Sequence, residues 1–365
     1  MYILLLTLII SSLIVTFLLP RILLLSLKSK ILDKQDNRKI HTCEATRLGG
    51  ASFLPAIFIS VVVTRVVSDF LGINGFGANP KNELSIMMCS AMILYYLGLY
   101  DDIVGAGYRA KFAIQTLASL MVVLSGCYIT DLNGLFGIGL IPIYVGVPLT
   151  VVLLIFITNA INLIDGIDGL ASMIAAIAFL VYGIIFYMCG EYRCCIYCVA
   201  SIGVLLPLWY YNVFGLRKNL STRIFMGDGG TLIIGLILSV MCVTLWNHPL
   251  VVEEKLGEVS YLYQIMAFSV LIIPCFDVVR VMICRIRNHK SPFLPDKNHF
   301  HHKLLKFGLS PHKSLFVLFL INTLFLSINS LFAIVSLDIN IIVLIDIILW
   351  VTIHQALSYK INRNI

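Results

Sequence analysis

Apolar stretches of about 20 residues recur along this chain, and no other feature limits its fold so severely. A bilayer core needs roughly that length at the helical rise, and lipid admits only segments that satisfy their own backbone polar groups. The 365 residues are 59% hydrophobic and 12% charged, with a mean hydropathy of +0.97. A soluble domain carries about twice that charged fraction, so a soluble two-domain fold is excluded. Spans are expected near 3–25, 51–71, 84–100, 111–130, 147–164, 170–189, 194–213, 230–246, 262–283, 314–336 and 340–357, eleven in all. The first lacks a basic leader and is longer than the apolar core of a signal peptide, so it is expected to be retained. The expectation is an all-α polytopic membrane protein, one domain over 1–365, whose longest segments outside the membrane are 28–50 and 284–313.

Charge sets the expected orientation. Twenty Lys and Arg fall in 28–50, 101–111, 215–225, 284–313 and 358–365, against three (Lys81, Arg193, Lys255) in the opposite loops. Under the positive-inside rule the basic side is cytoplasmic, the N-terminus outside and the C-terminus inside. Tyr95, Tyr96, Tyr100, Trp209, Tyr210 and Tyr211 crowd the same span ends, as interfacial aromatics do. The net charge of +7 is mostly this orientation signal, and it is also compatible with anionic lipid head groups or substrates.

With that parity, four polar clusters fall on one side. The run Asn159-Ala-Ile-Asn162-Leu-Ile-Asp165-Gly166-Ile-Asp168-Gly169 repeats a polar group every third residue, which on a helix forms one stripe. Its glycines would stop or bend the helix and admit a ligand to the backbone. An oxygen-rich stripe suits Mg²⁺, which keeps several waters and commonly bridges substrate phosphates; a polar interfacial cap is the simpler alternative. The turn Phe225-Met-Gly-Asp228-Gly-Gly230-Thr231 opens a span and offers N–H groups to an anion, with Asp228 suited to holding a metal. Read alone, it is equally an N-cap.

Asp101-Asp102 closes another span and is followed by Arg109 and Lys111. Adjacent carboxylates repel, a cost that is functional beside a cation or a proton acceptor. Lys111 is suited to a diphosphate, with snorkelling as its plain reading. The basic loop ending His299-Phe300-His301-His302 favours phosphate and sugar contacts over a metal cage, because thiolate partners are scarce on that face. Asp277 and Arg280, three apart inside a span, read equally as a functional pair or a structural ion pair. Asp346 has no partner legible in the sequence, and His248, His312 and His354 read as ordinary interface residues. Cys194, Cys195 and Cys198 lie in an apolar helix on the far side and read as packing residues.

These residues, in this order, resemble the polyprenyl-phosphate N-acetylhexosamine-1-phosphate transferase family over roughly 28–305. The pattern Asn-Ala-x-Asn-x-x-Asp-Gly-x-Asp-Gly-Leu-Ala matches 159–171, Phe-Met-Gly-Asp-x-Gly-[Ser/Thr] matches 225–231, Asp-Asp matches 101–102, and Arg-x-Gly-Gly matches Arg47 to Gly50. His299-Phe300-His301-His302 is similar to the His-x-His-His of the N-acetylglucosamine branch, with Phe300 where Ile or Leu is usual. The muramoyl-pentapeptide branch instead resembles His-His-His. The resemblance implies Mg²⁺ (or Mn²⁺ in its place) on Asn162 and Asp228, Lys111 on the diphosphate, and Asp165, Asp168, Asn212 and Phe225 around the nucleotide. It implies His299, His301 and His302 as catalytic groups over the sugar phosphate, with Asp101 and Asp102 also catalytic.

The activity so implied is transfer of N-acetylhexosamine 1-phosphate, most similar to GlcNAc 1-phosphate, from a UDP-sugar to undecaprenyl phosphate in a bacterial cytoplasmic membrane. UMP would be released and a cell-envelope glycan initiated. Expected partners are those two substrates, membrane lipids and a second copy of the chain in a homodimer, with no nucleic acid. The alternatives are a phospho-N-acetylmuramoyl-pentapeptide transferase and a lipid or sugar transporter. Transporter sites lie near the bilayer midplane, whereas these clusters sit at span ends. A CDP-alcohol phosphotransferase is set aside, because the downstream Ala-Arg and paired Asp of that pattern are missing after Asp168.

Overall fold

The computed structural model describes residues 1–29, 46–72, 82–215, 222–248, 251–252, 259–291 and 299–363. Of the two long segments expected outside the membrane, 30–45 and 292–298 lie outside the described residues. Thirteen α-helices account for nearly all the rest: α1 (Tyr2–Lys28), α2 (Phe53–Phe70), α3 (Asn82–Ile103), α4 (Tyr108–Leu124), α5 (Ile143–Ile164), α6 (Leu170–Met188), α7 (Tyr192–Phe214), α8 (Gly227–Trp246), α9 (Leu262–Ser269), α10 (Ile272–Arg287), α11 (Phe300–Lys306), α12 (Pro311–Ile334) and α13 (Ile339–Arg363). The described strands are the two-residue pair β1 (Val251–Val252) and β2 (Val259–Ser260), antiparallel.

Among the described residues nine helices are long and apolar enough to cross a membrane, or ten when α9 and α10 are taken as one bent span. The protein is therefore a polytopic membrane protein, but the expected count of eleven is not reached on length. The shortfall is at 111–130, where α4 ends at Leu124 after 17 residues. At about 1.5 Å per residue that is about 26 Å, short of a bilayer core of about 30 Å. The chain leaves the helix at Gly126, whose φ is 110°, a conformation that glycine adopts without steric cost. Between α9 and α10 the axis turns by 59°. Pro274 stands in the first turn of α10, just past the break; lacking an N–H, it cannot bond back to Val270 O four residues earlier.

Helix α8 is the centre of the bundle: 94% of its apolar window is buried, against 22% for α13 and 28% for α1. It packs against α3 and α5, while α7 packs between α1 and α6. Small residues allow this. A Cβ on Gly98 of α3 would stand 2.5 Å from Gly229 Cα, and one on Gly235 would stand 2.8 Å from Thr158 Cα of α5. Lipid tails are as apolar as leucine, so close backbone approach contributes much of what holds such helices together. The N-terminal end of α8 thereby lies against the C-terminal ends of α3 and α5, where the polar motifs fall.

Within the last helices a polar chain replaces apolar packing. Asn329 of α12 donates through Nδ2 to Ser269 Oγ (2.8 Å) and to Asp346 Oδ2 of α13 (3.0 Å). Asp346 thus has a partner seventeen residues away, across a turn between helices. The cysteines at 194, 195 and 198 are buried free thiols, consistent with packing.

Candidate active site

Two turns build the floor of the site. Phe225 N–H donates to Thr46 O (2.8 Å), while Gly49 and Gly50 N–H donate to Phe225 O (3.0 Å) and Met226 O (2.8 Å). The Arg47-Leu48-Gly49-Gly50 stretch and the Phe225-to-Asp228 turn are therefore one layer of backbone. Asp102, in the last turn of α3, reaches the start of α8, where its two oxygens accept from Asp228 N–H and Gly229 N–H, both at 2.9 Å. A carboxylate is unfavourable at a helix C-terminus and favourable at an N-terminus. Asp102 is at the first by sequence and at the second by packing.

Lys111 bridges the acidic residues. Its Nζ donates to Asp228 Oδ2 (2.6 Å) and pairs with Asp101 Oδ2, while Asp101 Oδ1 accepts from Ala106 N–H (2.6 Å). Asn162, near the end of α5, donates through Nδ2 to Thr231 Oγ1 (2.7 Å), and Thr231 donates in turn to Gly227 O (3.1 Å). That bond turns the amide oxygen of Asn162 away from Thr231. The Asn162 side chain also reaches Asp228, and an amide oxygen and a carboxylate are oxygen donors of the kind Mg²⁺ takes with waters completing its shell. The described residues hold no group of three His, Cys, Asp or Glu able to bind a metal. A cation held by Asn162 and Asp228 would have few protein ligands, with water and substrate completing its shell.

The expected helical stripe over 159–168 is corrected. Helix α5 ends at Ile164, and Asp165 (φ −72°, ψ 52°) starts a turn that closes at Gly169 with φ 79°. Only Asn159 and Asn162 share a helical face; Asp165 and Asp168 belong to the turn into α6. Asn159 faces α4, where it exchanges amide bonds with Gln115 (2.8 and 3.3 Å). Asp168 is paired with Arg223 Nη1 (2.6 Å). Asn212 of α7 accepts from Gly169 N–H through Oδ1, so it holds the turn. Asp165 makes no side-chain hydrogen bond among the described residues. Burial, with the charges of Asp168 and Asp228 added, pushes its carboxyl up to about 7.

The histidine loop closes the site from the side of α10 and α13. His299 and His301 stack with centroids 5.7 Å apart and planes 7° apart, and His302 lies 4.2 Å from His301. His301 presses on the 165–169 turn: a Cβ at Gly166 would stand 2.2 Å from its Nε2. It is 2% exposed, and neither ring nitrogen has a hydrogen-bond partner. Burial, reinforced by His302, pulls its pKa down to about 3, so the ring is neutral at physiological pH. Phe300 packs on Trp350 and His354 of α13, which removes His354 from the isolated histidines.

The structure thus brings Asp101, Asp102, Lys111, Asn162, Asp228 and Phe225 together, with Asp165, Asp168, Asn212 and the histidines adjoining. Arg223 and Thr231 were not singled out by the sequence. Arg223 stands two residues before Phe225 and reads as an orientation charge, and Thr231 reads as the last position of a glycine motif. Their partners are visible only in three dimensions.

Glycosyl transferase family 4 matches this chain over residues 84–246, a stretch that contains Asp101 through Asp228 and stops before the histidine loop. The chain is 29% identical over 87% of its length to a probable undecaprenyl-phosphate N-acetylglucosaminyl 1-phosphate transferase of Bacillus subtilis (strain 168), covering 81% of that protein. It is 27% identical over 79% of its length to the undecaprenyl-phosphate alpha-N-acetylglucosaminyl 1-phosphate transferase of Salmonella typhimurium, covering 73% of it. Against the Escherichia coli (strain K12) protein of that name the figures are 26%, 83% and 77%. The resemblance read from the motifs is borne out.

Proposed function

We propose that this chain transfers N-acetylglucosamine 1-phosphate from UDP-N-acetylglucosamine to undecaprenyl phosphate at the cytoplasmic face of a bacterial inner membrane, releasing UMP and initiating a cell-envelope glycan. The observation that carries the reading is the meeting of Lys111, Asp101, Asp102, Asn162 and Asp228 at one end of the bundle, in a chain whose named relatives are such transferases. The twenty-to-three bias of Lys and Arg supports the cytoplasmic placement of that end.

Phosphoryl transfer relies on positioning and on stabilising charge, with little covalent work for the protein. The acceptor is a phosphomonoester with a second pKa of about 6, so near neutral pH it is mostly a dianion and needs aiming more than deprotonation. Its oxygen attacks the sugar-bearing phosphorus of the diphosphate, that P–O bond forms, and the bridging oxygen departs with UMP. Lys111, already held between two carboxylates, meets the diphosphate. His301, neutral, offers one ring N–H to the sugar phosphate. Asp168 with Arg223, Asn212 and Phe225 border the nucleotide. Asn162 and Asp228 would hold Mg²⁺, which when bound would supply divalent charge to neutralise the diphosphate.

Direct attack is favoured over a covalent phosphosugar on aspartate, because both oxygens of Asp102 are taken by backbone N–H groups and Asp101 is engaged by Lys111 and Ala106. Asp101 and Asp102 then serve to hold the acceptor-side geometry. The motif His299-Phe300-His301-His302 supports the N-acetylglucosamine branch over the muramoyl-pentapeptide branch.

The test is UMP release by purified protein supplied with undecaprenyl phosphate, Mg²⁺ and a panel of UDP-sugars. Release is expected with UDP-N-acetylglucosamine and is expected to stop on chelation. Asn162→Ala and Asp228→Ala should each reduce it at least about 100-fold, since each removes a group stabilising transition-state charge, in protein that remains folded and inserted. No UMP with any donor would sink the proposal.

A further inference from the structure

Asp277 lies inside α10, outside every motif of the site, and is 2% exposed. A buried carboxylate is retained only when its oxygens are well partnered, and those of Asp277 are. Oδ1 accepts from Arg280 Nη2 (3.0 Å) and from Phe300 N–H (3.0 Å), and Oδ2 lies 2.8 Å from His299 Nδ1. A carboxylate can only accept, so the proton of the last bond is on His299 Nδ1.

Two consequences follow from that geometry. His299 is the N-cap residue of α11, with extended φ −60° and ψ 154°, and its side chain makes no capping bond. The first N–H of that helix is satisfied instead by Asp277, a residue of another span. Orphan N–H groups at a helix start need such a partner. Asp277 therefore fixes where α11 begins. It also fixes the imidazole, because a carboxylate on Nδ1 sets the tautomer and ring orientation and leaves Nε2 as the nitrogen free to meet a ligand. His299 then stacks on His301, and His301 bears on Gly166, so the orientation set at Asp277 reaches the turn that carries Asp165 and Asp168.

We propose that Asp277 is the positioning residue of the histidine loop: it holds His299 in the Nδ1–H form and anchors the start of α11, presenting the lone pair of His299 Nε2 to a hydroxyl or N–H donor of the sugar. The catalytic half of this statement rests on the transferase reading above; the tautomer half does not. Asp277 touches neither substrate nor reacting atoms.

The tautomer is read directly on the wild-type protein, labelled with ¹⁵N-histidine and studied in bilayers by solid-state NMR, with His299 identified by its loss in His299→Gln. A protonated Nδ1 is expected, and a His299 carrying its only proton on Nε2 would overturn the proposal whatever the activity of any Asp277 variant. In Asp277→Asn the residue keeps its size but can offer an N–H to the ring, so the His299 proton should move to Nε2. The kcat of UMP release should then fall about 10- to 100-fold, the usual cost of removing such an orienting partner, with the KM for the UDP-sugar changed far less. Wild-type kcat in Asp277→Asn would overturn the proposal. A wild-type protein that releases no UMP overturns the transferase reading instead, while the tautomer measurement still decides the role of Asp277 at His299.

Discussion

Asp165 differs from its acidic neighbours in that it has no ion pair or side-chain hydrogen bond among the described residues, and the charge of Arg47 only partly offsets its burial. Asp228 has Lys111, Asp168 has Arg223, and Asp102 has two N–H groups of α8. A carboxyl with a folded pKa of about 7 against an ordinary value of about 3.9 binds its proton more tightly in the native than in the unfolded chain. Stability from this group is thus greatest at low pH and declines as pH rises from about 4 to about 7, the reverse of a salt-bridged aspartate. Asp165→Asn should therefore raise the unfolding temperature of the metal-free protein at pH 8 and leave it nearly unchanged at pH 4. Thermal unfolding in detergent at the two pH values checks this, and an equal shift at both would contradict it.

At the scale of elements, the spans were legible because apolar length is a property of sequence alone. The turn at 165–169 was not, because a three-residue spacing of polar groups fits a helix stripe and a glycine-closed turn equally well. What separates them is Asn212 of α7 bonding Gly169, a contact no local pattern encodes. Tertiary contact also explains why Asp102 reads as a catalytic candidate yet serves as the cap of a different helix. The meeting of α8 with the Arg47-to-Gly50 turn is the tightest such case. A Cβ on Gly50 would stand 2.0 Å from Gly230 N and 2.3 Å from Gly230 Cα, both backbone atoms that cannot swing aside. Gly50→Ala should push the turn off α8 and pull Phe225 and Asp228 away from Asp102. Overpacking of this kind costs about 1–3 kcal/mol, so the variant should unfold at lower temperature and release UMP at least about tenfold more slowly. Wild-type values in both assays would show that the two turns are not one layer.

For the whole molecule, α13 is the ruler that relates the two faces. Near its start Asn340 Oδ1 accepts from Phe136 N–H (2.6 Å), and near its end Ser358 Oγ accepts from Lys303 Nζ (3.0 Å), beside the histidine loop. Those two contacts are separated by about 27 Å of helix at about 1.5 Å per residue, close to the thickness of a bilayer core. The loop around Phe136 and the site are therefore on opposite faces of any membrane that α13 crosses. Tyr108 (57% exposed), which starts α4 three residues before Lys111, and Lys313 at the start of α12 belong to the face of the site, while Phe136 (76%) and Leu140 (82%) belong to the other. With the native cysteines replaced, Tyr108→Cys and Lys313→Cys should react with an impermeant maleimide only in inside-out vesicles, and Phe136→Cys and Leu140→Cys only in right-side-out cells. Reversal of all four would move the site to the outer face, away from any cytoplasmic nucleotide sugar. Labelling of Tyr108→Cys and Lys313→Cys from opposite sides would break the site itself, since Lys111 and the histidines would then face different compartments.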